Sequence, residues 1–275
     1  MDLVCIKGRE WNEDYAYAND EFYFVIDGAT SLTTQKFSKE ATDAKWFAKN
    51  LCKFLKTALL DKSKNLTQIL KLAIIKLKQD YLALSKNNVV IDMPSAAICV
   101  CRKNNNKLEY FVLGDCGFLI KTPQYIKDIT TTDIAKLDKR DIDTMIQLSK
   151  QTNISILEAR KKIADQVLAK RLSKNTPNGY YIISDDPNAC DHAVCGEIDI
   201  EDNTQIVLYS DGFSQIWDTV YKYSISKVFD LLNSGYKLKQ IVKDLRTIQQ
   251  LDKDCNDYPR FKKSDDSSAI YVKFN

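Results

Sequence analysis

The sequence predicts a single-domain α+β fold built in layers. Three observations point to it. Short β-branched and aromatic runs come in groups separated by tight turns, and long stretches with apolar residues at three- and four-residue spacing come in pairs. The regular strand-helix alternation of a doubly wound sheet is not seen. With 275 residues, 44% of them hydrophobic, the chain can bury a substantial core, which excludes disorder and fibrous repeats.

Residues 1–27 hold short extended candidates, the clearest being 21–27, an aromatic and β-branched run that ends in an Asp-Gly turn. Over about 38–58, Ala41, Ala44, Phe47, Ala48, Leu51, Phe54, Leu55 and Ala58 recur at helical spacing, and 66–84 repeats the pattern, so two amphipathic helices follow. Segments 95–102, 108–113 and 118–121 read as a strand meander with turns at 103–107 and 114–117. The stretch 124–175 is polar and helical, with a Ser155/Glu158 capping box, and is expected to form a flap-like insertion. Segments 179–184 and 204–210 are strand candidates, 224–250 gives two more helices, and 269–274 is a closing strand.

Charge and sulfur narrow the function. The 40 Lys and Arg against 37 Asp and Glu leave a net charge of only +3, which disfavours dedicated nucleic-acid binding. No basic run leads a long apolar stretch at the N-terminus, and no eighteen apolar residues are consecutive, so a soluble, non-secreted, cytoplasmic chain without membrane association is expected. The eight cysteines then read as buried thiols, with Cys99 and Cys101 on one face of a strand, and no CxxC pair suggests zinc. The single histidine, His192, removes multi-histidine chemistry, and carboxylates become the candidate functional groups. Trp11, Trp46 and Trp217 read as core or wall aromatics, and the Lys-rich stretches 53–78 and 161–174 as solvated faces.

Four acids stand at junctions of expected strands and turns: Asp27, Asp115, Asp211 and Asp265. A fifth, Asp14, sits beside Glu13. Asp-Gly is a common turn dipeptide, so any one of these has a bland explanation. Five together, three after apolar runs and without a matching surplus of buried-looking Arg or Lys, point to a divalent-cation site made of oxygens. Such donors favour Mg²⁺ or Mn²⁺, and a pair of these ions activates water for attack on phosphorus. Arg9, four residues before Glu13, suits a phosphoryl group, and the set describes phosphoester hydrolysis.

In chain order, Arg9-Glu-Trp-Asn-Glu-Asp14, Phe24-Val-Ile-Asp-Gly28, Pro94-Ser-Ala-Ala97, Val112-Leu-Gly-Asp115, Leu208-Tyr-Ser-Asp-Gly212 and Asp265-Asp-Ser-Ser-Ala-Ile270 resemble the ordered motifs of the metal-dependent protein phosphatases, the type 2C or PPM-type family, in a bacterial-like form. The resemblance spans residues 9–270 and implies a four-layer α/β/β/α sandwich with two central antiparallel sheets flanked by helix pairs. It further implies that Asp27 bridges two Mn²⁺ or Mg²⁺ ions, that the Gly28 carbonyl joins one of them, and that Asp211 and Asp265 hold the other. By the same resemblance Glu13 or Asp14 acts through metal-bound waters, Asp115 helps hold a weaker third ion, and Arg9 holds the substrate phosphate. Asp27 and Asp211 are thereby the catalytic candidates. The chain departs from the family at Ala29, where many members carry a His that is proposed to protonate the leaving group, and at Asp266, where Asn is usual.

The implied activity is removal of phosphate from phosphoserine and phosphothreonine in a phosphorylated protein substrate by a monomer. The alternative is a pseudophosphatase that holds phosphorylated partners without turnover. A small-molecule phosphatase or phosphodiesterase is a third option, because substrate class follows from analogy alone.

Overall fold

The computed structural model describes residues 1–29, 35–86 and 88–274. Ten strands form two antiparallel five-stranded sheets. The first runs β1 (Asp2–Ile6), β10 (Ser267–Lys273), β9 (Gln205–Tyr209), β6 (Gly117–Lys121), β7 (Ile126–Thr130). The second runs β2 (Tyr15–Ala18), β3 (Phe22–Ala29), β4 (Ser95–Asn104), β5 (Lys107–Leu113), β8 (Val194–Asp199).

Alternation along β3 shows how the layers arise. Phe22, Phe24 and Ile26 pack with α1 (Asp43–Ala58) and α2 (Leu66–Ser85), while Tyr23 and Val25 face the gap between the sheets. In that gap they meet Cys99 and Cys101 of β4, Phe118 and Ile120 of β6, Ile206 and Leu208 of β9, and Ile270 of β10. The outer face of the first sheet, through Leu119, Val207 and Ala269, is covered by α6 (Asp211–Asp218), α7 (Ile225–Asn233) and α8 (Leu238–Leu251). This is the four-layer sandwich that the resemblance implies. Among the described residues no helix is long and apolar enough to cross a membrane.

Several local expectations are corrected. Asp27-Gly28 is not a turn, because β3 runs on to Ala29 and Ala29 pairs with Ser95 of β4. Asp211-Gly212 is not one either, since Asp211 opens α6, a helix that no periodicity over eight residues announced. The first helix begins at Asp43 instead of about 38, where Thr42 caps it by accepting from the Lys45 amide. Segment 179–184 makes only isolated bridges, Ala96 with Ile183 and Lys174 with Tyr180, and the strand that joins β5 is the more polar β8.

Residues of β7 fall inside the stretch read as helical; after them come α3 (Asp133–Thr152), α4 (Ile156–Lys162), with its Ser155/Glu158 capping box, and α5 (Ala164–Leu172). Lys170 pairs with Asp138 and Asp141, and Lys174 with Asp92, so that part of the Lys-rich stretch is engaged instead of solvated. All eight cysteines are free thiols, but Cys195 on the edge strand β8 is exposed and Cys5 only half-buried. Arginines are buried after all: Arg102 pairs with Glu109, and Arg260 with Asp252.

Candidate active site

Strand parity places the acids. Asp27 shares the face of Tyr23 and Val25, so its carboxylate leaves β3 toward the space between the sheets, at the end where β9 passes into α6 and β10 begins. Asp211 enters from α6, Asp265 from the segment just before β10, and Asp115 from the β5–β6 turn. Asp14, at the start of β2, accepts a hydrogen bond from the Ser210 hydroxyl at 2.9 Å, which fastens it to the end of β9. Two glycines permit the close packing behind these groups. A Cβ on Gly8 would lie 2.2 Å from the Asp265 backbone, and one on Gly212 would lie 1.8 Å from the Asp266 carbonyl oxygen. Asp266 is buried, and its two carboxylate oxygens accept from the Gly8 and Glu13 amides, each at 2.7 Å. The residue that departs from the usual Asn is thus an acceptor-only clamp between the first loop and the last strand.

The acids perturb one another strongly. Burial, then Asp14, Asp211 and Asp115, pushes Asp27 well above the ordinary carboxylate range. Burial, then Asp265 and Asp115, does the same to Asp211, against an opposing pull from Lys262 and a hydrogen bond shared with Asp27. Asp14 is raised to about 7 by burial and by Asp266, and its Oδ1 is buried without a hydrogen-bond partner. Asp115 is raised to about 6 by burial and by Asp138 of α3, with Arg171 of α5 opposing. Asp265 is the exception. Burial works against its charge, yet the Lys262 ammonium, 2.9 and 2.7 Å from its two oxygens, and Arg9 beyond it hold the carboxyl below its usual range.

Of the sequence-derived candidates, Asp14, Asp27, Asp115, Asp211 and Asp265 lie near enough to act on one another's charge. Glu13 is buried beside them with its carboxylate engaged by the Thr42 hydroxyl and by Arg9, whose guanidinium lies 3.5 Å away and is 41% exposed. Gly28 lies in β3 against the Glu13 backbone. Among the described residues, no three His, Cys, Asp or Glu side chains already stand together at metal-holding spacing. The carboxylates face one another, and Lys262 engages one of them.

His192 is elsewhere. It lies in the 3-10 helix Pro187–His192, stacked on Tyr181 with ring centroids 3.4 Å apart and planes 5° from parallel, beside the layer of α1 and α2. Trp46 packs on Tyr81, and Trp217 on Tyr209 and Phe213. Two neighbours of these acids carried no sequence signal. Lys262 belongs to a Lys-Lys pair that resembles solvated surface, and Arg246 sits among the polar residues of α8, from where it donates to the Asp265 carbonyl and to the Ser267 hydroxyl.

No protein-family model matches the sequence, and no curated protein matches it either. Solved structures do match. The Mycobacterium tuberculosis serine/threonine phosphatase PstP/Ppp aligns with a TM-score of 0.60 at 12% identity over 99% of this chain and 97% of its own. The catalytic domain of PstP in complex with two manganese ions aligns with a TM-score of 0.56 at 13% identity, over 99% and 97%. Staphylococcus aureus Stp1, a serine/threonine phosphatase, aligns with a TM-score of 0.55 at 14% identity, over 100% and 94%. The chain has the fold of the PPM-type serine/threonine phosphatases across its whole length.

Proposed function

We propose that this chain is a divalent-metal-dependent phosphomonoester hydrolase that removes phosphate from phosphoserine and phosphothreonine in proteins. One observation carries the reading: Asp14, Asp27, Asp115 and Asp211 lie at one end of the sandwich with their carboxylates raised by burial and by neighbouring carboxylates. Charge left uncompensated in this way is costly to a fold and is what a polyvalent cation relieves. The all-oxygen donor set and the orphaned buried Oδ1 of Asp14 fit Mn²⁺ or Mg²⁺. The fold is also that of PstP, which was solved with two manganese ions.

In this reading Asp27, beside both Asp14 and Asp211, would take the shared position between two ions. The Gly28 carbonyl would join one ion, and Asp211 and Asp265 would hold the other. Asp115 faces Asp138 and Arg171 of the helical segment and would serve a weaker third ion. When bound, the ions supply Lewis acidity toward the phosphoryl oxygens and acidify water for attack on phosphorus. Arg9 presents its exposed guanidinium to the substrate phosphate, and Glu13 steadies it. Ala29 carries no proton and His192 is turned into the outer layer, so the leaving alkoxide takes its proton from water. We further propose that 124–175 acts as a flap over this end of a single phosphatase domain.

The pseudophosphatase reading is favoured by one observation, the ammonium of Lys262 on the Asp265 carboxylate. Hydrolysis of para-nitrophenyl phosphate with and without Mn²⁺, followed by a phosphopeptide panel, separates the two. Turnover that needs Mn²⁺ and is lost in EDTA is the expected result. Phosphopeptide binding without turnover at any metal concentration would establish the alternative.

A further inference from the structure

Lys262 is the residue whose placement the proposed ligand set does not use. Its ammonium contacts both oxygens of Asp265, at 2.9 and 2.7 Å, and is also drawn by Asp211. These are the two carboxylates that would hold one cation. Asp265 Oδ1 also accepts from the Asp266 amide at 3.0 Å. Arg246 binds the Asp265 carbonyl instead of its carboxylate, so it buttresses the backbone without competing there.

The way Lys262 is mounted matters equally. The backbone before it is fixed: Arg260 is buried on Asp252, and Phe261 packs into the apolar cluster of α3 to α5, with the Lys170 ammonium 4.7 Å from its ring centroid. The same loop holds the helical segment through Asn256, which accepts from the Ile156 amide at 3.0 Å. The Lys262 side chain itself is 40% exposed, whereas that of Asp265 is 16% exposed. The anchor is packed in place, and the side chain it carries lies partly in solvent.

We propose that Lys262 is a tethered counter-ion that occupies the cation-facing side of Asp265, is displaced into solvent when a divalent cation enters, and thereby sets the affinity of the Asp211/Asp265 half of the site. The inference rests on the metal-dependent reading above. An ammonium holds the carboxylate pair together while no metal is bound, and it competes with a metal for the same oxygens. If the pair leaves Asp265 free about one tenth of the time, the apparent affinity of that half falls about tenfold. The other half, with Asp27 and the Gly28 carbonyl, carries no such competitor in direct contact with Asp27 among the described residues.

Calorimetric titration of Mn²⁺ alone into chelator-stripped protein tests this. Wild type is compared with Lys262→Gln, Lys262→Met, Lys262→Arg and, as a control for bulk charge, the exposed neighbour Lys263→Gln. The expected result is two classes of site, the weaker one tightening about tenfold in Lys262→Gln and Lys262→Met and staying at the wild-type value in Lys262→Arg and Lys263→Gln. The difference should persist in high salt, where long-range effects are screened. Wild type and Lys262 variants binding Mn²⁺ alike, or the variants binding more weakly, would overturn the role of Lys262 and leave the metal reading standing. No binding to any of the proteins would overturn both.

Discussion

Two sets of buried charge are built on opposite principles in this molecule. Arg102 at the outer end of β4 is almost fully enclosed, and its guanidinium is answered by Glu109 at 2.7 Å and by the carbonyls of Asp61 and Lys64. Arg260 is answered in the same way by Asp252 at 2.6 Å. At the other end of the sandwich, Asp14, Asp27, Asp115 and Asp211 are surrounded mostly by further carboxylates, Asp265, Asp266 and Asp138 among them, with the opposing Lys262 drawn mainly to Asp265. Arg102 and Arg260 each have a carboxylate in direct contact, whereas among the described residues none of these four carboxylates has an ion pair of its own. That contrast, buried charge paired in one region and carboxylates crowded together in another, is what the proposed cation site rests on.

The sharpest way to break that contrast is Asp27→Asn. Loss of the acid that faces both Asp14 and Asp211 should lower kcat/KM on an aryl phosphate by on the order of 10³-fold, while the metal-free protein melts at a higher temperature than wild type because repulsion has been relieved. Wild-type turnover in this variant would remove Asp27 from the chemistry. Arg260→Ala should do the reverse. It strands Asp252 without its partner and should destabilise the fold by about 3 kcal/mol in urea, with activity per folded molecule retained at saturating Mn²⁺. A change within error in the unfolding midpoint would show that the compensated set is not held together as described.

Smaller effects sharpen the picture. Arg9→Ala should raise KM by about tenfold with a lesser change in kcat, as expected for a group that binds ground and transition states alike; an unchanged KM would take Arg9 off the substrate. His192→Ala should alter kcat by less than about twofold, because a general acid is worth about 10²–10⁴ and this imidazole is committed to Tyr181. A loss of two or more orders of magnitude, with fold and metal affinity intact, would bring the imidazole into the mechanism.

How much of this was legible beforehand depended on whether a signal was local. Alternation in β3, β4, β5 and β10, and the apolar stripes of α1, α2, α7 and α8, are written in residue order and were readable. The five acids stood out as a candidate set because three of them follow apolar runs. β8 escaped because it is an edge strand, largely exposed and polar, and α6 because eight residues are too few for a helical stripe to stand out. The Asp-Gly dipeptides misled in the same direction. Turn preference is a property of two residues, whereas the pairing of Ala29 with Ser95 and the opening of a helix at Asp211 are set by distant neighbours. The buried arginines and Lys262 were illegible for a related reason. A cation's burial depends on which acid lies across the fold or across a loop, and nothing in a Lys-Lys pair distinguishes a solvated tip from one that closes on a carboxylate.

The central proposal, that these carboxylates are crowded together for the sake of a divalent cation, is tested most directly by the pH dependence of thermal stability with and without Mn²⁺. Folding raises Asp14 from its ordinary 3.8 to about 7 and Asp115 to about 6, with Asp27 and Asp211 raised as well. A folded state with raised carboxyl values binds protons that the unfolded chain has released. The stability contributed by these groups is therefore present at acid pH and lost as pH rises through that interval. Asp265, held low by Lys262, works oppositely but loses its contribution only as pH falls below its ordinary value, outside this window. In EDTA the melting temperature should fall steadily between about pH 5 and pH 8, and Mn²⁺ should reverse that slope, since deprotonated carboxylates bind it better. A melting temperature that is flat or rising over this range in EDTA, and unmoved by Mn²⁺ at pH 8, would contradict the account.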